Sequence, residues 1–374
     1  MEKDLNKDFL GGMSVRSADV GYGNVKYTLS HLDAFGPIVC DIFPSRSPVA
    51  GDKGLSAGFA QKRDTTIIHI NGINYEVGKG VAQAQGTNDL SSVLDNDFCM
   101  SDAYMARFRG ALHYMLGQDK KSGQPYLQNN HINLFMAGLP VSNFCNVELR
   151  DGLRDKLTGK HELSDGRTVT LEKVVIIPQP MGAFFEYAFE HSMFDVMKKQ
   201  NNLIIDPGFY TFDWLLSTGL IINEARSNSV NRGMSAVMAA MVEAIKKKKG
   251  WKTPSEVLFR LLDDHYREGE PFFAHGENHD ANEFVPAGRT IINEAVAAMV
   301  NSVGDGADIH NIVLAGGGAK LYLSAIQEKF PHHKILVMEN PVYSNVRGFQ
   351  LAGERQIIGQ LRRERKEVMA STAV

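Results

Sequence analysis

One short pattern occurs twice in this sequence, about half a chain apart, and it narrows the possible folds more than any other feature. An apolar, strand-like run ends in Asp-x-Gly, the chain turns, and a second strand-like run returns. The first copy runs from Ser14–Val20 through Asp19-Val-Gly21-Tyr-Gly23-Asn-Val-Lys26 into Val25–Ser30. The second runs from Leu203-Ile204-Ile205 through Asp206-Pro-Gly208-Phe-Tyr-Thr211-Phe-Asp213 into Trp214–Ser217. A unit repeated at this separation predicts two structurally related halves. The length agrees: 374 residues exceed what one hydrophobic core usually spans, so two domains are expected.

The rest of the chain alternates strand and helix signals. Ile38–Phe43 is a third strand-like run, and Thr66–Ile70 and Asn74–Val77 flank Asn71-Gly72, a strong hairpin cue. Tyr104, Met105, Phe108, Ala111, Leu112 and Met115 share one helical face. Ile132–Gly138 and Lys173–Ile177 read as strands, the second stopped by Pro178 and Pro180 before an aromatic helix around Phe184–Phe189. Met234, Val237, Met238, Met241, Val242 and Ile245 predict an amphipathic helix closed by Lys246–Lys249 and Gly250, and residues 291–303 predict another. Asn311–Ala315 is a strand, Gly316-Gly317-Gly318 a loop, Leu321–Phe330 a helix and Ile335–Met338 a strand. Residues 251–287 are polar with scattered histidines and read as a surface subdomain. The basic C-terminal stretch Leu361–Lys366 reads as a solvated helix end that then frays, and Met1–Gly12 as a loose arm. Such alternation is that of an α/β architecture, in which ligands gather at the carboxyl ends of the strands.

Three glycine loops stand at three such strand ends, and this is where the 35 glycines become informative. Glycine permits tight turns and lets backbone N–H groups approach an anion without a Cβ between them. Asp19 and Asp206 add carboxylates of the kind that hold a hydrated hard cation, and Lys26 adds a positive charge. Together these are the parts needed to clamp a nucleoside triphosphate and Mg²⁺ between two hairpins. A single Asp-x-Gly is more often an ordinary turn; two copies plus a glycine loop entering a helix favour phosphate binding. The other common cradles are missing: no Gly-x-x-x-x-Gly-Lys-Ser/Thr occurs, and Gly21-Tyr-Gly23 lacks the third glycine and the helix of a dinucleotide fingerprint.

Composition removes other classes. With 40 Lys+Arg against 43 Asp+Glu, the formal net charge of −3 provides no global field for a polyanion. Direct sequence-specific DNA binding is therefore not expected. Lys246–Lys249 fits a helix C-terminus rather than a DNA patch. His265, His275 and His279 lack metal-site spacing. Three cysteines are too few for a disulfide framework. No run approaches the ~20 apolar residues of a membrane span, and no targeting segment is read at the start. The expected setting is cytoplasmic, away from membranes.

The loop order resembles the actin, heat-shock chaperone and sugar-kinase ATPase superfamily, and in detail the bacterial actins of the ParM/StbA plasmid-segregation type. The first loop is similar to the family's first phosphate motif, the second to its Asp-x-Gly-x-x-Thr-x-Asp motif, and Leu314–Lys320 to its adenosine motif. Pro341–Gly348, Phe43-Pro44-Ser45 and Tyr75–Gly78 match further family segments. The resemblance spans about residues 14–355. It implies an actin-like fold of two ribonuclease-H-like halves flanking a nucleotide cleft: residues 1–187 completed by 340–374, and residues 188–339 with the subdomain at 251–287.

Carried over, the resemblance implies ATP/ADP and Mg²⁺ as cofactors. Gly21, Tyr22, Gly23, Asn24 and Lys26 would meet the phosphates from one side, and Gly208, Phe209, Tyr210 and Thr211 from the other. Gly316, Gly317, Gly318 and Lys320 would lie at the adenosine. Asp19 and Asp206 would hold the metal through water, and Gln179 would orient the attacking water; on spacing alone Gln179 reads as a loop residue between two prolines. Phe209 and Tyr210 depart from the small residues usual in the second loop, and Pro207 removes one donor. The implied function is an ATPase forming nucleotide-dependent filaments that segregate plasmid DNA through a DNA-binding adaptor. The alternatives are a small-molecule kinase or exopolyphosphatase of the same superfamily, or a nucleotide-binding scaffold without hydrolysis.

Overall fold

A computed structural model describes residues 13–30, 37–50, 63–81, 97–127 and 129–372. The arm read at 1–12 lies outside the described residues. In the first half, β1 (Val15–Val20), β2 (Asn24–Ser30) and β3 (Val39–Pro44) form an antiparallel meander. The small hairpin β4 (Thr66–Ile70) and β5 (Ile73–Val77) follows, then α1 (Asp102–Met115), β6 (His131–Leu139), α2 (Val141–Cys145) and α3 (Val147–Leu157). β7 (Gly159–Glu162), β8 (Thr168–Pro178) and α4 (Gln179–Glu190) complete it. The first sheet has the order β3-β2-β1-β6-β8-β7, with β6 parallel to β1 and to β8. β1 is central, and all six of its residues are buried, as a strand covered on both faces should be.

The second half repeats this order. After α5 (Phe194–Met197) come β9 (Asn201–Pro207), β10 (Phe212–Thr218), β11 (Ile221–Ile222) and β12 (Asn228–Val230). α6 (Met234–Lys249), α7 (Ser255–Glu268), β13 (Phe272–Ala274), β14 (Glu277–His279) and α8 (Val285–Val303) lead to β15 (Asn311–Leu314), α9 (Ala319–Lys329), β16 (Ile335–Val337) and α10 (Ser344–Thr372). The second sheet runs β11-β10-β9-β15-β16, with β9, β15 and β16 parallel. In both sheets an antiparallel hairpin leads into parallel strands, so both hairpin loops open at the carboxyl end of a sheet.

Two helices tie the halves together by crossing over. α4 leaves the first sheet but packs Met181, Phe184 and Ala188 against Ile204, Leu215 and Val313 of the second. α10 leaves the second sheet and packs Phe349 and Ile357 against Val15, Leu134 and Met136 of the first. The two helices meet backbone to backbone: a Cβ on Gly348 would lie 1.7 Å from the carbonyl oxygen of Gly182. Only glycine at both positions allows that approach.

Two segments differ from the sequence reading. Residues 251–287 hold α7, whose Leu258 and Leu262 are buried in the second core. The leucines at 258, 261 and 262 carry a helical period that the surrounding charges obscured. The C-terminal stretch does not fray after Lys366; it remains helical to Thr372, with residues 362–370 exposed. Local side-chain bonds such as Gln360 Nε2 to Glu364 Oε1 (2.9 Å) support this overhang without a core. Among the described residues no helix is long and apolar enough to cross a membrane.

Candidate functional site

Both hairpin loops close with the same backbone bond. Gly21 N–H donates to the Asn24 carbonyl (3.1 Å), and Gly208 N–H donates to the Thr211 carbonyl (2.9 Å). In each loop a Cβ on the glycine would press to 3.2 Å against that same carbonyl. The aspartates sit at matching ladder positions, Asp19 opposite Lys26 and Asp206 opposite Asp213. One backbone solution therefore carries two different charge sets.

In the first hairpin Lys26 Nζ lies 2.8 Å from Asp19 Oδ2, and Gln179 Nε2 donates to Asp19 Oδ1 at 2.7 Å. Gln179 is the first residue of α4, delivered to the cleft by the end of β8 rather than held in a loop. Burial would depress the Lys26 ammonium, yet Asp19, with Asp206 and Tyr343, holds it above its ordinary value. Gln179 commits its amide nitrogen to Asp19, which leaves its carbonyl oxygen as the end that can accept from water.

The second hairpin has no such neutralisation across its ladder. Asp206 is buried, and burial together with nearby Asp213 pushes its carboxyl up to about 7. Asn345, at the start of α10, donates from Nδ2 to Asp206 Oδ2 (2.6 Å), while its own Oδ1 is buried without a partner among the described residues. Asp213 is raised as well, first by burial; donation from Ser229 Oγ, Thr211 and the Val141 N–H (2.9 Å) moderates the rise. The loop itself is braced by the start of α6, where Met234 N–H donates to Gly208 O (3.0 Å) and Ser235 N–H to Phe209 O (2.7 Å).

The third loop closes the floor. Gly316 has φ +79°, and a Cβ there would fall 2.1 Å from Asp206 Oδ1, so this position requires glycine. Around Gly317 a Cβ would meet nothing within 4 Å.

These loops surround one cleft between the halves. Asp19, Gly21, Tyr22, Gly23, Asn24, Lys26, Gln179, Asp206, Gly208, Phe209, Tyr210, Thr211, Gly316 and Gly317 all line it. Gly318 and Lys320 do not: Gly318 N–H bonds the Pro207 carbonyl (2.9 Å) behind the loop, and Lys320 is exposed on α9. The bulky Phe209 and Tyr210 bridge to the other hairpin. Tyr22 and Tyr210 rings lie 4.7 Å apart, and a Cβ on Gly23 would strike Phe209 at 2.7 Å.

Among the polar residues, the sequence alone assigns no role to Asp263, Tyr266 and Asn345 of the cleft lining, nor to Asp213 behind it. Asp263 and Tyr266 come from α7 and line the cleft, with Asp263 held across its mouth by Arg46 (3.2 Å). Asn345 and Asp213 lay inside quoted motifs. Asp213 could have been found because it stands at the same offset from Asp206 as Lys26 does from Asp19.

The donor set suits a cation kept in its water shell. Among the described residues no three His, Cys, Asp or Glu side chains converge as direct ligands. Carboxylates on facing hairpins, one of them carrying a raised pKa, fit a hydrated divalent ion bridging to an anionic ligand.

The family model for the N-terminal domain of actin-like proteins matches residues 17–182, and that for the C-terminal domain of the archaeal MreB-like actin homologue matches residues 204–328. Solved structures share the fold across nearly the whole chain. One is a 15-stranded ParM filament from Clostridium botulinum, 20% identical, covering 92% of this chain and 99% of that one with a TM-score of 0.67. Another is an archaeal actin homolog in complex with ADP, 19% identical, covering 92% and 100%, TM-score 0.67. A third is the actin-like protein Alp7A, 13% identical, covering 96% and 99%, TM-score 0.65. A search of curated protein sequences finds no match. At these identities the structural likeness is one of fold, and the fold is actin-like.

Proposed function

The chain is an actin-like protein, and on that premise we propose that it binds ATP with Mg²⁺ between its two hairpins, hydrolyses it, and assembles into filaments whose stability follows the nucleotide. The observation that carries this reading is the matched pair of loops, each closed by the same bond and each presenting a buried aspartate to one cleft. Relatives of the same fold that form a filament or hold ADP support it.

In this reading the backbone N–H groups of the first loop and Lys26 hold phosphate oxygens, and the second loop meets the phosphates from the other side. Asp19 and Asp206 hold Mg²⁺ through water, with Asp213 adding charge behind; the ion would supply neutralisation of the triphosphate. Gln179, anchored on Asp19, orients the attacking water through its carbonyl oxygen. Gly316 and Gly317 pass under the adenosine. The closing units would be residues 1–187 with 340–374, and 188–339, with α4 and α10 as connecting helices. Closure about the nucleotide would set the geometry of the filament contact. The cargo we propose is plasmid DNA reached through an adaptor in the cytoplasm, an indirect attachment that suits a net charge of −3.

Sedimentation with parallel phosphate release tests this. Assembly that needs ATP, then decays as phosphate appears, is expected. Phosphate transfer to an added small-molecule acceptor without assembly would replace it with a kinase, and ATP binding without turnover would leave a scaffold.

A further inference from the structure

Behind the first hairpin lies a buried cation that the site described above does not use. Arg107, midway along α1, is 4% exposed. Its guanidinium donates from Nε to Ser47 Oγ (3.1 Å) and from Nη1 to Ser45 Oγ (3.1 Å), and it stacks 4.7 Å over the ring of Phe98. Among the described residues both acceptors are neutral hydroxyls. Burial pushes the guanidinium down to about 10, so it stays charged at neutral pH. A buried charge without a carboxylate is costly to keep unless something else answers it.

Its contacts lead to the phosphate loop along two routes. Ser45 holds both loop glycines: its Oγ donates to Gly21 O (2.6 Å), and its N–H donates to Gly23 O (2.9 Å). Because Arg107 donates into the Ser45 oxygen, the single hydroxyl proton is left for Gly21, which fixes the direction of that bond. On the other route, Phe98 packs on Tyr22 (5.0 Å), the residue between the two glycines. The second hairpin is braced differently, by N–H groups at the start of α6.

We propose that Arg107 is a positioning residue for nucleotide phosphates: through Ser45 it fixes the Gly21–Gly23 backbone, and its charge, paired with no carboxylate among the described residues, stands behind the loop that the phosphates approach. The ligand rests on the nucleotide reading above; the hold on the loop does not.

The test uses the full chain as wild type, Arg107→Met, Arg107→Lys and Ser45→Ala. Amide hydrogen exchange is followed at residues 20–25 and 206–212, and binding of MgATP and adenosine is titrated. Arg107→Lys keeps the charge but loses the fork to two hydroxyls; Ser45→Ala removes the relay and spares the buried charge if Arg107→Met fails to fold. The expected result is exchange about tenfold faster at 20–25 with 206–212 unchanged, and MgATP binding about tenfold weaker with adenosine unaffected, largest in Arg107→Met. Wild-type exchange and wild-type ATP binding in Ser45→Ala and Arg107→Lys would overturn it. So would equal loosening of both hairpins with equal loss of ATP and adenosine, which marks a general packing role. If the wild type binds no ATP, the nucleotide reading falls, and the exchange at 20–25 still decides whether Arg107 holds the loop.

Discussion

The two hairpins share a backbone and differ in charge. Each places an aspartate at the end of a buried strand and a glycine whose N–H closes the loop. Across the ladder, Asp19 faces Lys26, whereas Asp206 faces Asp213. The first pair is self-compensated, and in the proposed function its lysine meets the phosphate oxygens. The second concentrates negative charge where no lysine answers it across the ladder, and burial raises both of its carboxyls. Such a pair becomes comfortable when a divalent cation arrives. The two loops share one frame, and in the proposed function one cross-strand position divides the labour between phosphate and metal.

The strongest way to break this contrast is Asp206→Ala, which should lower phosphate release at least about 100-fold, in the range for removing a group that stabilises developing charge. Wild-type turnover in that variant would remove the metal assignment from the second hairpin. Gln179→Ala should slow phosphate release by roughly 10- to 100-fold while ATP-dependent assembly persists, because the water is lost but the clamp is not. Light scattering that fails to rise in this variant would show that Gln179 holds the cleft rather than the water.

Asp213→Asn sharpens the comparison through pH. Asp206 binds its proton more tightly folded, near 7, than unfolded, near 3.8. The stability that proton brings is complete below about pH 4 and is lost as pH rises through 7. Removing the Asp213 charge should relieve that loss, so in Mg²⁺-free buffer the variant should gain about 1 kcal/mol or more over wild type at pH 8 and little at pH 4. A gain independent of pH would show that repulsion between the two carboxyls is not its source. The smallest effect tests the shared frame. Gly21→Ala and Gly208→Ala each press a Cβ to 3.2 Å of the loop carbonyl, so each should cost about 1 kcal/mol or less, and by similar amounts. A large difference in denaturant midpoint would mean the loops are not equivalent.

Most of this frame could be read from residues alone, because glycine and aspartate at strand ends have few structural meanings. The hairpins and the third glycine loop are legible for that reason, and the helical faces at 104–115 and 234–245 by their apolar period. Other features depend on distance in space. Gln179 begins a helix because β8 runs straight into α4, and its bond to Asp19 joins residues that the sequence keeps far apart. α7 was obscured by its charged surface, so the reach of Asp263 and Tyr266 into the cleft was not visible. The exchange of α4 and α10 between sheets depends on the contact of Gly182 with Gly348, which no local pattern announces. Asp213 was legible in principle, but its meaning required the ladder register opposite Asp206.

Calorimetric titration of ATP into the wild-type chain, with Mg²⁺ and with excess chelator, tests most directly whether the two hairpins serve one nucleotide with divided roles. The expected result is one ATP per chain, bound tightly with Mg²⁺ and more weakly without it, with the Mg²⁺ advantage lost in Asp206→Ala and the remaining affinity lost in Lys26→Ala. Binding indifferent to Mg²⁺, or no ATP binding at all, would contradict it.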